Sequence, residues 1–154
     1  MLCIFTDGSA LKNGSKNAKG GFGVIVTDNK RIINAHSHFC EGTTNNREEM
    51  KAIIWALENY GNSSPTPIVY SDSSYCVNTF NQWMNNWKAN GWVKSDKKIP
   101  ENLDLIKLYD IIKGQGKKID LRYVKGHAGF TFNELADALA TGRMSVEEVL
   151  KRGY

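Results

Sequence analysis

An amphipathic helix predicted over residues 43–57, TTNNREEMKAIIWAL, constrains the fold more than any other part of the sequence. Its apolar side chains recur at positions i, i+3, i+4 and i+7, a spacing that places them on one face of a helix. Those side chains are Met50, Ile53, Ile54 and Leu57. Because such a face must be covered, the chain has to supply a sheet or another layer of helices against it.

Two glutamates stand near the start of this helix, and helix geometry separates them. At about 100° per residue, Glu48 points almost opposite the apolar face, where we expect a solvated side chain favoured by the helix dipole. Glu49 falls at the edge of the apolar face, in line with Ala52 and Ala56. Because a buried carboxylate needs a partner or a metal ion, Glu49 is a candidate site residue.

The segments on either side of this helix alternate between strands and helices. Strands are predicted at residues 2–6, 22–27, 31–39, 68–71 and 119–124, and further helices at 73–80, 101–113 and from 133 onward. In the helix at 101–113 we expect Leu103, Ile106 and Ile111 to face inward. The fourth strand follows a helix, so it should pair parallel to the first strand through a crossover connection. The order predicts an α/β fold with a mixed five-stranded sheet, three antiparallel strands then two parallel additions, flanked by helices.

The composition is that of an ordinary folded protein and favours one domain. The chain has 154 residues, of which 41% are apolar and 23% are charged. We therefore expect a single domain over residues 1–154, with a basic, Trp-rich protrusion at about 81–99 and a C-terminal helical extension at about 143–154. The net charge of +4 permits an anionic partner without requiring one.

Nothing in the sequence predicts a membrane or secreted protein. No apolar run approaches the roughly 20 residues that a membrane-spanning helix needs. The first residues become acidic too soon for a signal peptide. The three cysteines are widely spaced and odd in number, which favours reduced thiols. We therefore expect a cytoplasmic protein, and we expect it to be a monomer.

Further carboxylates lie where they can reach Glu49. Asp7 and Asp72 each end an apolar strand, and in parallel neighbours they would emerge side by side at the edge where α/β sites form. Asp137 shares a face of the last helix with Asn133. Each acid alone has a structural explanation, as a turn or helix-cap residue. A cluster of four would repel itself unless cations bound, and all-oxygen ligands favour Mg²⁺ or Mn²⁺.

The chain resembles the type 1 ribonucleases H, the ribonuclease HI family, through short motifs in the family's order over about residues 2–142. The motifs are FTDGS at 5–9, TNNREE at 44–49, YSDS at 70–73, WMNNWK at 83–88, GW at 91–92, VKGHAG at 124–129 and NELAD at 133–137. The resemblance implies a ribonuclease H-like fold. It also implies an endoribonuclease that hydrolyses the RNA strand of RNA–DNA hybrids without strong sequence preference, leaving 5′-phosphate and 3′-hydroxyl ends.

The resemblance also implies the catalytic residues. Four carboxylates would hold two Mg²⁺ ions, with Mn²⁺ as an alternative: Asp7, Glu49, Asp72 and Asp137. One ion would activate a water molecule and the other would stabilise the leaving 3′ oxygen. His127, beside the metals, would relay protons or help product release. His36 and His38 alternate on a strand outside any matched motif, and we expect them to be structural or exposed.

A set of substrate contacts follows from the same resemblance. Matched asparagines would contact the hybrid from the minor groove, an aromatic channel would touch DNA sugars, and a polar pocket would bind a DNA phosphate. Lysines would add an attraction that weakens with salt. The groove contacts are Asn13 (with Asn17 as the alternative), Asn45 and Asn46; the channel is Tyr75 and Trp83; the pocket is Thr44, Arg47 and Asn102; further contacts are Lys88, Lys94 and Ser95, with Lys97 and Lys98 nearby.

Two departures from the family pattern leave alternatives open. Glu48 stands where an apolar residue is common before the catalytic glutamate, and a charge turned inward there would alter metal affinity. The stretch 130–132, FTF, is more apolar than usual beside His127. The alternative function is a non-catalytic nucleic-acid-binding module of the same fold, whose mark would be a lost carboxylate, and none is lost. A second rival, a structure-specific or exonuclease relative, generally lacks the basic Trp-rich protrusion.

Overall fold

The computed structural model describes residues 1–11, 19–125 and 131–152. Within these residues the strands are β1 (Leu2–Ala10), β2 (Lys19–Asp28), β3 (Arg31–Glu41), β4 (Ile68–Ser71) and β5 (Asp120–Tyr123). The α-helices are α1 (Asn45–Tyr60), α2 (Ser74–Asn78), α3 (Met84–Ala89), α4 (Leu103–Gly114), α5 (Thr131–Thr141) and α6 (Val146–Arg152). A π-helical turn, Thr79–Trp83, joins α2 to α3.

The five strands form one mixed sheet in the order β3-β2-β1-β4-β5. The first three strands pair antiparallel as successive hairpins. β4 then pairs parallel to β1 after the crossover through α1, and β5 pairs parallel to β4. The fold class predicted from the order of segments is therefore confirmed, including the parallel pairing of the first and fourth strands.

Helix α1 covers one face of this sheet, as its spacing predicts. All four side chains of its predicted apolar face are buried: Met50, Ile53, Ile54 and Leu57. They belong to one core cluster with Ile4, Val24 and Val69 from the three central strands. The backbone N–H of Arg47 donates to the hydroxyl of Thr44, which caps the helix N-terminus.

The opposite face of the sheet is covered by α5 and α6. Successive strand residues point to opposite faces, so Phe5 joins this second cluster while its neighbour Ile4 joins the first. Leu139 of α5 packs here with Ile25 of β2. The approach is close, because a Cβ at Gly23 would collide with the backbone of Ala136. The sheet is thus a central layer between helices.

Two details differ from the sequence prediction. In α4 the buried residues are Leu105, Ile106, Tyr109 and Ile112, whereas Ile111 is 60% exposed, so its predicted inward position is wrong. The helix predicted from residue 133 onward begins at Thr131 and ends at Thr141, and α6 is a separate helix because Gly142 adopts a left-handed conformation (φ 77°) between them. Among the described residues, no helix combines the length and apolar character needed to cross a membrane.

Candidate active site

Three carboxylates from three separate elements converge beside the carboxyl end of β4, where this strand runs parallel to β1. Asp7 lies on β1, Glu49 on the first turns of α1, and Asp72 directly after β4. One oxygen from each lies within 4.8 Å of the others. The parallel register pairs Thr6 with Ser71, so the two aspartates that follow lie side by side. The sequence predicts this juxtaposition, but it ends the first strand at residue 6, whereas β1 continues past Asp7 to Ala10.

Glu49 is held in this cluster by its neighbours and not by solvent. Its carboxylate is buried, and Oε1 accepts a hydrogen bond of 2.7 Å from the hydroxyl of Ser71. The hydroxyl of Thr6 lies 3.5 Å from the same oxygen. The backbone of α1 also passes very close to β1, since a Cβ at Gly8 would collide with the backbone nitrogen of Glu49. Glycine at this position therefore lets the helix bring Glu49 up to Asp7.

Asp137 of α5 reaches the same cavity and lies close enough to Asp7 to raise the pKa of that carboxyl, through a side-chain hydrogen bond and through its charge. The cavity measures about 310 Å³ and is lined by Asp7, Glu49, Asp72, Asp137, Asn45, Asn46, Gly8, Ser9 and Ser73. The carboxylate of Asp137 forms an ion pair with the guanidinium of Arg143. Arg143 therefore compensates part of the negative charge of Asp137. The sequence motifs did not indicate this partner.

The electrostatics of the cluster oppose full ionisation of its acids. Burial is the largest cause that raises the pKa of Asp7 above its usual value, followed by the charges of Glu49, Asp72 and Asp137. Burial also raises the pKa of Glu49, and the charge of Asp72 adds to it, while the hydrogen bond from Ser71 works in the opposite direction. Converging carboxylates of this kind either share protons or bind a cation.

The donor set suits a hard divalent cation. Every side chain of the converged group offers carboxylate oxygen, and the cluster contains no thiol or imidazole ligand within the described residues. Oxygen-only ligation matches Mg²⁺ and Mn²⁺, whereas zinc prefers nitrogen and sulfur. The repulsion that raises the pKa of Asp7 is the same repulsion that a bound cation relieves.

The residues predicted to bind a DNA phosphate lie together beside the cavity. Thr44 and Asn102 line a second cavity of about 540 Å³, together with Asn45, Asn46 and Glu101. The guanidinium of Arg47 donates to the amide oxygen of Asn102 over 3.2 Å, which links α1 to the residue before α4. Arg47 also pairs with Asp104, with one bond from each terminal nitrogen. Sequence reasoning missed Asp104, because no matched motif contains it.

The two side chains predicted to form an aromatic channel lie next to each other. The rings of Tyr75 and Trp83 lie 5.9 Å apart in an edge-to-face arrangement. A cavity of about 370 Å³ beside them is lined by Tyr75, Trp83, Trp87, Lys94, Ser95 and Asp96. Lys88 instead pairs with Asp110 at 2.9 Å. The structure thus brings Lys94 and Ser95 to the aromatic pair, whereas Lys88 is held in an ion pair with α4.

The expectation of a solvated Glu48 is wrong. Its side chain is fully buried and forms an ion pair of 2.8 Å with Lys51. The hydroxyl of Thr43 donates to the same carboxylate oxygen at 2.5 Å, and the thiol of Cys40 lies 3.5 Å away. The end of β3 and its connection to α1 cover the helix face that spacing assigns to solvent. Glu48 is not among the residues that line the cavity of Asp7 and Glu49.

The two histidines that the structure describes, His36 and His38, lie in the kind of position predicted for them. His36 stacks on Trp55 with the rings 4.7 Å apart, and burial, with a smaller effect of His38, lowers its pKa. His38 is exposed on β3, beside the ring of Phe22. Both therefore have the structural or exposed positions predicted. The predicted site residues Asn13 and His127 lie outside the described residues.

Comparisons with known proteins place this geometry in a family. The sequence model described as RNase H matches residues 1–145. The ribonuclease H of Vibrio vulnificus (strain YJ016) is 41% identical over 152 residues, covering 98% of this chain and 94% of the relative. Among solved structures, LC9-RNase H1, a type 1 RNase H with the type 2 active-site motif, superposes with a TM-score of 0.75. It is 30% identical, and the match covers 92% of this chain and 70% of that one.

A further solved structure, LC11-RNase H1 in complex with an RNA/DNA hybrid, shares the fold with a TM-score of 0.67. It is 23% identical, and the match covers 97% of this chain and 99% of that one. The sheet order and the matched sequence model thus define a hydrolase with a ribonuclease H-like fold. More particularly, the chain belongs to the ribonuclease H family, because the family model and the Vibrio relative both match most of its length.

Proposed function

We propose that this protein is an endoribonuclease that hydrolyses the RNA strand of RNA–DNA hybrids at the cavity lined by its four acids. The observation that carries the proposal is the convergence of Asp7, Glu49 and Asp72 within 4.8 Å, on a cavity that Asp137 also lines. All four positions predicted from the motifs contribute to this one cavity. The products carry 5′-phosphate and 3′-hydroxyl ends.

These four carboxylates are the proposed ligands of two Mg²⁺ ions, with Mn²⁺ as the alternative. When bound, such ions supply Lewis acidity toward the phosphodiester and a more acidic water molecule. The chain's own contribution is to hold the ligands in place. Ser71 orients the carboxylate of Glu49, and the pair with Arg143 orients that of Asp137.

Recognition of the RNA strand is proposed for the asparagines at the cavity. Asn45 and Asn46 line the same cavity as the catalytic acids, so they stand within reach of the strand that is cut. Amide groups can donate to and accept from a ribose 2′-hydroxyl, the group that distinguishes RNA from DNA. Asn13 and His127 enter the proposal through their motifs alone, as a groove contact and a proton relay.

The DNA strand is assigned to the side of the Trp-rich segment. One contact is the cavity of Thr44, Asn102 and the neighbouring Arg47, which offers hydroxyl, amide and guanidinium groups to a phosphate. The other is the aromatic pair Tyr75 and Trp83, on which deoxyribose can pack. Phosphate and sugar contacts carry no base information, so cleavage without sequence preference follows.

We further propose that residues 1–154 form one catalytic domain that works as a monomer in the cytoplasm. The family match over residues 1–145 supports the single domain. The unpaired thiols of Cys3, Cys40 and Cys76 support a reducing compartment. The segment at about 81–99 forms the basic protrusion, and α6 belongs to the C-terminal extension.

The test is cleavage of one end-labelled RNA strand in an RNA–DNA and an RNA–RNA duplex, with DNA–DNA as a further substrate. Each is incubated with Mg²⁺ or with a chelator, using the wild type, Asp72→Asn and the control Asp120→Asn, which removes a similar charge on β5. We expect internal cuts in the hybrid alone, with Mg²⁺ alone, for the wild type and Asp120→Asn. Hybrid binding without cleavage by the wild type would instead support the binding-module alternative.

A further inference from the structure

The guanidinium of Arg47 is already bound by an acid of the same chain. Its terminal nitrogens donate to both oxygens of Asp104, at 3.0 and 2.9 Å. This is the bidentate geometry in which arginine also binds a phosphate. The bond to Arg47 is the largest cause that holds the pKa of Asp104 below its usual value, so the carboxylate is charged at neutral pH.

A second acid lies at the same place. Glu101 lines the cavity with Thr44 and Asn102, and Asn102 receives a further bond from Arg47. A phosphate entering this cavity therefore approaches one exposed carboxylate, and the adjacent Arg47, which is bonded to Asn102, has both terminal nitrogens in use. The cavity has the polar groups of a phosphate site but little net positive charge to attract one.

We propose that Asp104 is an affinity-determining residue that competes with the DNA phosphate for Arg47. The inference rests on the proposed function, because it takes the cavity to be a contact of the DNA strand. Asp104 is 64% exposed, whereas Arg47 is 29% exposed, so the aspartate can turn into solvent while the arginine stays at the cavity. Binding then exchanges one bidentate partner of Arg47 for another.

This exchange of partners should be visible in how the affinity for the hybrid depends on salt concentration. A basic side chain that binds a phosphate contributes close to one unit to the slope of log affinity against log salt, because it releases counterions. Arg47 held by Asp104 contributes little, since its charge is compensated before and after the exchange. Asp104→Asn leaves Arg47 uncompensated, so the slope should become steeper by about one unit.

The experiment measures binding of a fluorescein-labelled RNA–DNA hybrid by anisotropy, without divalent metal, at several salt concentrations. The variants are Asp104→Asn, Arg47→Ala, the double variant, and Asp120→Asn as the matched control. The control breaks another exposed Asp–Arg pair, between Asp120 and Arg122 at 2.7 Å, and changes the net charge equally. Asp120 lies at the start of β5, whereas the cavity of the four acids lies beside the carboxyl end of β4.

We expect Asp104→Asn to bind the hybrid roughly fivefold more tightly in low salt, with the steeper slope, and Asp120→Asn to keep the wild-type slope. Arg47→Ala should weaken binding more in the Asp104→Asn background than in the wild type. Equal affinities and slopes for the two aspartate variants would overturn the inference. Failure of the proposed function looks different, because the wild type would then not cleave the hybrid, whatever Asp104→Asn does to binding.

Discussion

The hydroxyl of Ser71 donates a 2.7 Å hydrogen bond to Oε1 of Glu49, both of them buried. Ser71 is the last residue of β4 and directly precedes Asp72. The bond therefore joins the strand that carries one acid of the cluster to the helix that carries another. It also stabilises the charged form of Glu49, against the burial that raises the pKa of this carboxylate.

Ser71→Ala should reduce hybrid cleavage at pH 7 by about tenfold. The reason is that leaving the buried carboxylate of Glu49 without this hydrogen-bond donor destabilises its charged form by about 1–3 kcal/mol. The lost bond raises the pKa of Glu49 further, so the acid limb of the pH–rate profile should move to higher pH. Thr6→Ala is the matched comparison. Its hydroxyl lies 3.5 Å from the same oxygen, so its limb should move less. Identical profiles for the two variants would show that Ser71 does not act through Glu49.

The metal-free protein should lose stability as the pH rises from about 5 to 8. The pKa of Glu49 is raised from 4.5 to about 8, and that of Asp7 is raised as well, so the folded state binds more protons than the unfolded chain in this range. Stability then falls with increasing pH. Asp7→Asn replaces an acid that must take up a proton on folding with a neutral amide, so it should unfold at a higher temperature than the wild type, with a smaller dependence on pH.

Calorimetry in a chelator at pH 5.5 and pH 8 measures both effects. Asp120→Asn is the control, since Asp120 is exposed and pairs with Arg122 away from the cluster. An unfolding temperature of Asp7→Asn that stays below that of the wild type at both pH values would contradict the expected repulsion.

Mg²⁺ should raise the unfolding temperature of the wild type and should do so much less for Asp7→Asn. A ligand that binds only the folded state at 100 times its dissociation constant adds about 2.7 kcal/mol of stability. Asp7 takes part in the group of three carboxylates, so its amide variant offers one fewer charged ligand. The measurement is a titration of unfolding temperature against Mg²⁺. Equal increases in both proteins would place the stabilising ion outside the cluster.

Lys51→Met should destabilise the fold by about 2–4 kcal/mol, because it leaves the charge of Glu48 buried without its cation. Glu48 is fully buried, whereas Lys51 is 26% exposed, so solvent reduces the cost below that of a wholly buried pair. The double variant Glu48→Met/Lys51→Met should recover most of the loss, since it removes both charges. Urea unfolding measures these changes, with the exposed Lys118→Met as the control. A double variant less stable than Lys51→Met would contradict this account.

The contrast between Glu48 and Glu49 shows how far sequence patterns reach. Asp7 and Asp72 could be placed together because strand ends and a parallel crossover are readable from local patterns. The helix angle then selected Glu49. The same angle assigned Glu48 to solvent, because the burial of that face depends on Cys40 and Thr43, whose packing no periodicity encodes.

Two further features could not be predicted from local sequence patterns: which residues of α4 face the core, and which distant side chains form ion pairs. Ile111 was expected to be buried, but its neighbour Ile112 occupies the core instead. Two adjacent isoleucines do not determine how the helix is rotated about its own axis, so the sequence does not show which of them faces inward. The pair of Arg47 with Asp104 joins α1 to α4 across 57 positions. Only the three-dimensional packing of those helices brings the two side chains together.

The position of Asp137 has a consequence for when the cavity is completed during synthesis. Asp7 lies on β1, whereas Asp137 lies on α5, which follows all five strands in the chain. The two line one cavity, and α5 docks against β2 where Gly23 meets Ala136. A nascent chain that has completed β1 to β5 still lacks the fourth acid. The cavity is therefore complete only when α5 has emerged from the ribosome and docked against β2.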